Sequence, residues 1–354
     1  MAEAKRDCPS RRFLEILGGA EDAMLAFWAT APYLNAFAGV DLRSYYDDAE
    51  VKLRAQVAFQ TEFADAMLLP GIWADYGALC EPSAFGCEVL WPEGGMPSVV
   101  PLLKSLSEIG RLRVPDPERD GFMPRALAEY RYFWDHLDPR YVERYGYLDG
   151  VATSFGPAEL GAVLMGHGNF FLALAREPGR VHALLELTTE AVLLWLRAQE
   201  KVNGRLKRIA LADHLPGQIR PEHFEEFFLP YTNRVVEAFP GALVLYHNEY
   251  PIKYLPLLAR LKVSLFHFGG SVRAAKEALG GAMALMGNLA PVGLLRQGTP
   301  AEVEEEATTC LMEGVPGGRF FLSSAGGLAP DTPLENLKAA GHAIERWQQR
   351  ASGA

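Results

Sequence analysis

The chain has 354 residues, 49% of them apolar and 22% charged, the composition of one large globular domain or two smaller ones. Its net charge of −10, with no basic tract to offset it, argues against nucleic acid as a partner. No apolar stretch is long enough to span a bilayer, so no membrane partner is expected, and residues 1–12 lack the apolar core of a signal peptide. Cys8, Cys80, Cys87 and Cys310 form neither a CxxC nor a zinc-finger spacing, so a reducing cytoplasm with free thiols is the expected setting.

In chain order, residues 1–20 carry a short helix (Arg11 to Leu17) stopped by Gly18-Gly19. Met24 to Thr30 reads as a strand, Asp47 to Ala64 as an amphipathic helix and Ala66 to Ile72 as a second strand. Residues 73–100, rich in Gly, Pro and aromatics, are expected to pack over the mouth of the fold. Helical sequence follows from Met123 to Asp135, then a strand from Tyr147 to Phe155, a helix opened by Gly156-Pro157 and a long helix from Pro178 to Val202. Arg208 to Ala212 is a strand, Pro221 to Phe239 a helix, and Leu243 to Glu249 an apolar run ending in His247, Asn248 and Glu249. Lys253 to Leu261, Val272 to Leu279, Pro300 to Glu313 and Pro333 to Trp347 are helical. Between them, Val263 to Phe268, Met283 to Met286 and Arg319 to Leu322 are strands.

Eight strands, mostly alternating with helices in the second half, give an α/β fold of the (β/α)8 TIM-like barrel type. No linker breaks the apolar density, so residues 1–354 are expected to form a single domain. In such a fold the chemistry sits at the carboxyl ends of the strands. Those ends offer Asp213 and His214, His247 and Glu249, His267, Asn288, and Ser323 with Ser324, and imidazole with carboxylate suits a zinc ion. The structural alternatives are a turn cap for Asp213 and His214, a backbone-bonded core role for His267, a turn for Asn288 and a solvated loop position for Glu81. Trp28, Tyr33, Trp73, Tyr76, Phe155, Tyr246, Phe266 and Phe268 either line a pocket or fill the core, with Trp28 and Trp73 the better pocket candidates.

Several segments carry a family resemblance. They are Gly156-Pro157-x-x-Leu160, Pro178-x-x-Val181-His182-x-Leu184-Leu185, Pro221-Glu222-x-Phe224-x-Glu226-Phe227, Met286-Gly287-Asn288-Leu289, and Gly327-Leu328-x-Pro330-x-Thr332-Pro333-x-Glu335-Asn336. In this order they resemble the uroporphyrinogen decarboxylase superfamily, a distorted barrel family that includes porphyrinogen decarboxylases and methyltransferases serving corrinoid proteins or coenzyme M. The departures place the chain nearer the methyltransferase branch. Porphyrinogen decarboxylases clamp their anionic substrate with two early arginines, and residues 28–41 hold none. The zinc methyltransferases carry His-x-Cys where this chain has His247-x-Glu249, and a later cysteine where it has Gly326.

The resemblance therefore implies a methyltransferase. The methyl would pass from a small substrate, such as an aryl methyl ether or a methylamine-like compound, to a corrinoid carried by a partner protein. No Asp-x-His-x-x-Gly corrinoid signature occurs in this chain, so any cobalamin belongs to that partner. The expected metal ligands are His247 and Glu249 with a third from Asp213, His214 or His267. Glu249, Asp213 and Glu81 are the expected acid–base residues, and Trp28, Tyr33, Trp73, Tyr246, Phe268 and Asn288 the expected substrate contacts. The alternatives are a lyase acting on a small carboxylate and a barrel that binds a tetrapyrrole or corrinoid without chemistry. The sequence leaves the oligomeric state open.

Overall fold

A computed structural model describes residues 8–352. Eight parallel strands organise it: β1 (Ala26–Trp28), β2 (Met67–Leu69), β3 (Val151–Phe155), β4 (Arg208–Ala212), β5 (Leu243–His247), β6 (Leu265–His267), β7 (Ala284–Leu289) and β8 (Phe320–Ser324). Their apolar runs are buried on both faces because helices cover the outside.

Strands β3 to β8 form one parallel sheet in consecutive order, and β1 pairs with β2 from Ala26↔Met67 to Trp28↔Leu69. A bridge between Leu25 and Leu322, with the Leu322 N–H donating to the Met24 carbonyl at 3.0 Å, joins β1 to β8. The expected eight-stranded α/β architecture is present, with one seam. Among the described residues no backbone pairing joins β2 to β3. β2 is three residues long and runs into Pro70, which has no N–H to offer a neighbour. Side chains span the seam instead. The Leu68 N–H donates to the Tyr147 hydroxyl at 2.8 Å, and the Arg208 guanidinium donates to the Pro70 carbonyl at 3.2 Å.

The loops after β1 and β2 are tied together beneath the strand ends. Buried Asp75 accepts from the Ala31 and Gly77 backbones, both at 2.9 Å, and from the Tyr45 hydroxyl at 3.2 Å. The Gln56 carboxamide holds both backbone groups of Trp73, at 2.8 Å and 2.9 Å. The Gln56 clamp fixes the Trp73 backbone, and the Asp75 clamp ties the loop that follows Trp28. Residues 73–100, expected as an irregular cover, contain a helix (Cys80–Phe85) and a short hairpin pairing Val89–Leu90 with Ser98–Val99.

Among the described residues no single helix is long and apolar enough to cross a membrane. All four cysteines are free.

Candidate functional site

Parallel register brings three strand ends level. Ala212 of β4 lies opposite His247 of β5, and His247 opposite His267 of β6. Side chains alternate along a strand, so His247 and His267 share one face while Tyr246, Phe266 and Phe268 take the other. The chain leaves β4 and β5 immediately beyond this level, and the turns return His214 and Glu249 towards His247. The ligating atoms of His214, His247 and Glu249 all lie within 4.8 Å of one another, the spacing of a small cation site.

His247 is 1% exposed and its ring stacks on the Trp28 indole, with centroids 4.2 Å apart and planes inclined by 4°. Its Nε2 faces the Glu249 Oε1 at 3.5 Å, beyond a good hydrogen bond. Its Nδ1 is 2.7 Å from the His267 Nδ1, and the His267 Nε2 is 2.8 Å from the Ser324 carbonyl oxygen. Burial pulls the His247 imidazole down to about 4 against the opposing pull of Glu249, so it is neutral at pH 7. Burial and the neighbouring His247 hold His267 at about 3. Burial raises the Glu249 carboxyl, but His247 and the Gly327 N–H outweigh it and hold it at about 2. That Gly327 N–H donates to the Glu249 Oε1 at 3.0 Å. A Cβ at Gly326 would come 3.0 Å from the same carboxylate, so the glycine is what leaves Glu249 room to reach His247.

His214 has its own carboxylate behind it. Its Nδ1 is 3.5 Å from the Glu159 Oε1, and its backbone N–H donates to the Glu159 Oε2 at 2.8 Å. Burial opposes both charges, yet the pairing wins. Glu159 is held at about 2 by His167 and His214, and His214 is raised above the ordinary histidine range by Glu159. With Nδ1 turned to Glu159, the Nε2 of His214 is the nitrogen left for a ligand. A carboxylate oriented on a ligating histidine is the usual support of a metal site.

Beside this cluster lies a cavity of about 50 Å³ bordered by Trp28, Trp73, Glu81, Ser154, Phe155 and Ala212. Glu81 is 4% exposed and accepts the Ser154 hydroxyl at 2.9 Å and the Phe155 N–H at 3.0 Å, both on Oε1. Burial raises its carboxyl above the ordinary range despite these donors. The Trp73 Nε1 is buried without a partner, a free donor on a cavity-lining ring.

The structure thus brings together His247, Glu249 and His214, with Trp28, Trp73 and Glu81 alongside. The other expected residues stand elsewhere. His267 spends both ring nitrogens on protein groups, so it sits behind His247 rather than among the ligating atoms. Asp213 turns away from His247. One of its oxygens accepts the Tyr246 hydroxyl at 2.9 Å, the other is buried without a partner, and burial with Glu159 nearby raises the carboxyl well above its usual range. Tyr246 and Phe268 face outward by strand alternation, Tyr246 towards Asp213 and Phe268 against Gly287 and Phe266. Tyr33 packs in the aromatic core with Phe37 and Phe59. Asn288 donates to the Gly270 carbonyl and lines a separate outer groove with Glu302, Glu305 and Glu306. Sequence reasoning missed Glu159 and the Ser324 carbonyl. An acidic residue two positions after Gly156-Pro157 was the available signal for the first, and a backbone acceptor leaves none.

Residues 9–347 match the family model described as uroporphyrinogen decarboxylase. Among curated proteins the chain is similar to a methylated-thiol–coenzyme M methyltransferase of Methanosarcina mazei, 24% identical over 262 residues, covering 73% of this chain and 68% of that protein. It is similar also to the uroporphyrinogen decarboxylase of Syntrophotalea carbinolica, 28% identical over 265 residues, covering 72% of this chain and 73% of the relative. A solved methyltransferase from Methanosarcina mazei shares the fold, with a TM-score of 0.79 at 20% identity over 96% of this chain and 99% of that one.

Proposed function

Since the chain belongs to the uroporphyrinogen decarboxylase family, we propose that it is a metal-dependent methyltransferase moving a methyl group from a small methylated oxygen or nitrogen compound to a corrinoid carried by a partner protein. The observation that carries this reading is the convergence of His214, His247 and Glu249. Two nitrogen donors and one carboxylate suit zinc, and three protein ligands leave a fourth position open for substrate. Without thiolates the site keeps more positive charge, which favours an oxygen or nitrogen ligand over sulfur. The absence of arginine from residues 28–41 speaks against a polycarboxylate such as uroporphyrinogen.

Zinc held there would polarise the heteroatom that bears the methyl group, making it a better leaving group. The protein's own residues do the rest. Glu159 orients His214, Trp28 holds the plane of His247, and Gly326 with the Gly327 N–H positions Glu249. The cavity beside Trp28 takes the methyl-bearing end of the substrate. At about 50 Å³ it is well short of the ~150 Å³ that encloses a benzene ring, so the ring of an aryl ether would lie outside it. The Trp73 Nε1–H is free to donate to a substrate acceptor. Loss of the methyl group would leave the heteroatom needing a proton, and Glu81, whose carboxyl is shifted by burial towards the protonated form at the cavity wall, would supply it. We place the protein in the cytoplasm, in keeping with its free thiols.

Metal analysis tests the reading. Protein purified without chelator and supplied with zinc is expected to hold one equivalent. His247→Ala is expected to lose it while remaining folded by circular dichroism, though melting lower than the zinc-loaded wild type. A wild-type protein that takes up no zinc rejects the metal site.

A further inference from the structure

Resting on the metal reading above, we propose that His267 is a positioning residue. It sets the proton on Nδ1 of His247 and so presents Nε2 of His247 as a bare lone pair towards Glu249 and His214. The argument is one of donors and acceptors along a single chain of contacts. The Ser324 carbonyl can only accept, so the His267 nitrogen 2.8 Å from it, Nε2, must carry a proton. A neutral imidazole has one N–H, which leaves the His267 Nδ1 as an acceptor. Among the described residues, the hydrogen-bond partner of that Nδ1 is the His247 Nδ1 at 2.7 Å, which must therefore donate. The His247 proton is then on Nδ1 and its Nε2 has none.

Two other assignments fail on the same geometry. A proton on both His267 nitrogens would make a cation at a residue with 0% exposure whose hydrogen-bond partners are a neutral imidazole and a carbonyl, with no carboxylate among them. The reversed pair, with the His267 proton on Nδ1 and the His247 proton on Nε2, would point a lone pair at the Ser324 carbonyl 2.8 Å away. That repulsion cannot relax, because Ser324 is buried in β8 and its neighbour Ala325 is hydrogen-bonded to Leu289 at 2.8 Å. In the assignment that survives, the His247 Nε2 lone pair faces the Glu249 Oε1 at 3.5 Å, acceptor towards acceptor, with the Gly327 N–H donating to that oxygen. There a cation with His214 as its third ligand satisfies both. The Trp28 stack keeps the His247 ring in the plane that serves both contacts.

The test separates this inference from the metal reading. In isotope-labelled protein stripped of metal, NMR correlations between the ring protons and ring nitrogens show which nitrogen is protonated. Nδ1 is expected for His247 and Nε2 for His267; a wild-type His247 protonated on Nε2 overturns the inference, whether or not zinc binds. In His267→Leu the His247 proton is expected to move to Nε2, and zinc affinity by competition with a coloured chelator is expected to fall about 10–100-fold. In His267→Gln the carboxamide oxygen can accept from His247 and its NH2 can donate to Ser324, so both readouts are expected to stay near wild type. Unchanged zinc affinity in a folded His267→Leu protein also overturns it. A wild-type protein that binds no zinc while showing the expected ring protons sinks the metal reading and leaves the tautomer assignment standing.

Discussion

At the scale of single residues, the site turns on one exchange of volume and charge. Gly326 and Glu249 stand where the zinc methyltransferases that the sequence resembles carry cysteines, and the two positions touch, since a Cβ on residue 326 would lie 3.0 Å from the Glu249 side chain. Gly326→Cys alone is therefore expected to push Glu249 from its place and weaken zinc binding about tenfold or more. The pair Glu249→Cys with Gly326→Cys removes the clash and supplies two thiolates beside His247. Zinc competition is expected to show tighter binding in the pair than in wild type, and activity to turn towards methylated thiols. Tighter zinc in Gly326→Cys alone would contradict the steric argument. The two buried histidines also predict an acid response of the metal-free protein. His247 is held at about 4 and His267 at about 3, whereas both return to the ordinary histidine range on unfolding. Between that range and about pH 4 the unfolded chain binds more protons than the folded one, so stability falls as pH falls, by up to about 1.4 kcal/mol per unit for each histidine. Denaturant melts from pH 7 to pH 4, with His267→Gln as comparison, measure this; a flat profile would contradict it.

At the scale of elements, the cavity rests on a buried ion pair that joins two helices. Lys52 of the helix Ala49–Glu62 is 0% exposed and meets Glu129 of the helix Met123–His136 at 2.6 Å. Tyr76, which lines the cavity, donates to Glu129, and the Lys52 ammonium stands 3.8 Å from the centre of its ring. Burial works against both charges, lowering Lys52 and raising Glu129, so the pair contributes fixed geometry more than net stability. Lys52→Met alone is expected to cost about 3–5 kcal/mol by stranding Glu129, and Lys52→Met with Glu129→Leu to recover most of it. Urea melts of the three proteins check this, and equal losses in the single and double variants would refute it. The strands were legible where an apolar run ends sharply: β4 is Arg208–Ala212 in both sequence and structure. The helices Tyr33–Phe37, Leu42–Asp47 and Pro139–Tyr145 were not, because five to seven residues are too few to show a helical period. The polar residues after β4 and β5 announced the site, since an imidazole or carboxylate at the end of a buried strand stands out. Which way each one turns did not show. Asp213 and His214 are adjacent, yet one faces Tyr246 and the other Glu159, and only the path of the turn decides it.

At the scale of the whole molecule, on the proposed reading the chain activates the methyl donor and carries no corrinoid signature of its own. The corrinoid is therefore expected to be supplied from outside the chain, by a second protein or as free cobalamin. We propose also that the chain behaves as a single domain. The bridge between Leu25 and Leu322 ties its first strand to its last, and limited proteolysis is expected to yield no stable fragment confined to residues 1–100. The most direct measurement is methyl transfer to free cob(I)alamin, followed by its absorbance, with small methylated amines and aryl methyl ethers as donors. Zinc-loaded wild type is expected to methylate the cobalt, and the His247→Ala and chelator-treated proteins to be at least a hundredfold slower, on the scale of a lost Lewis acid of several kcal/mol, about 1.4 kcal/mol being tenfold. Equal rates with and without metal, or a wild type that transfers no methyl group but decarboxylates uroporphyrinogen, would contradict that claim.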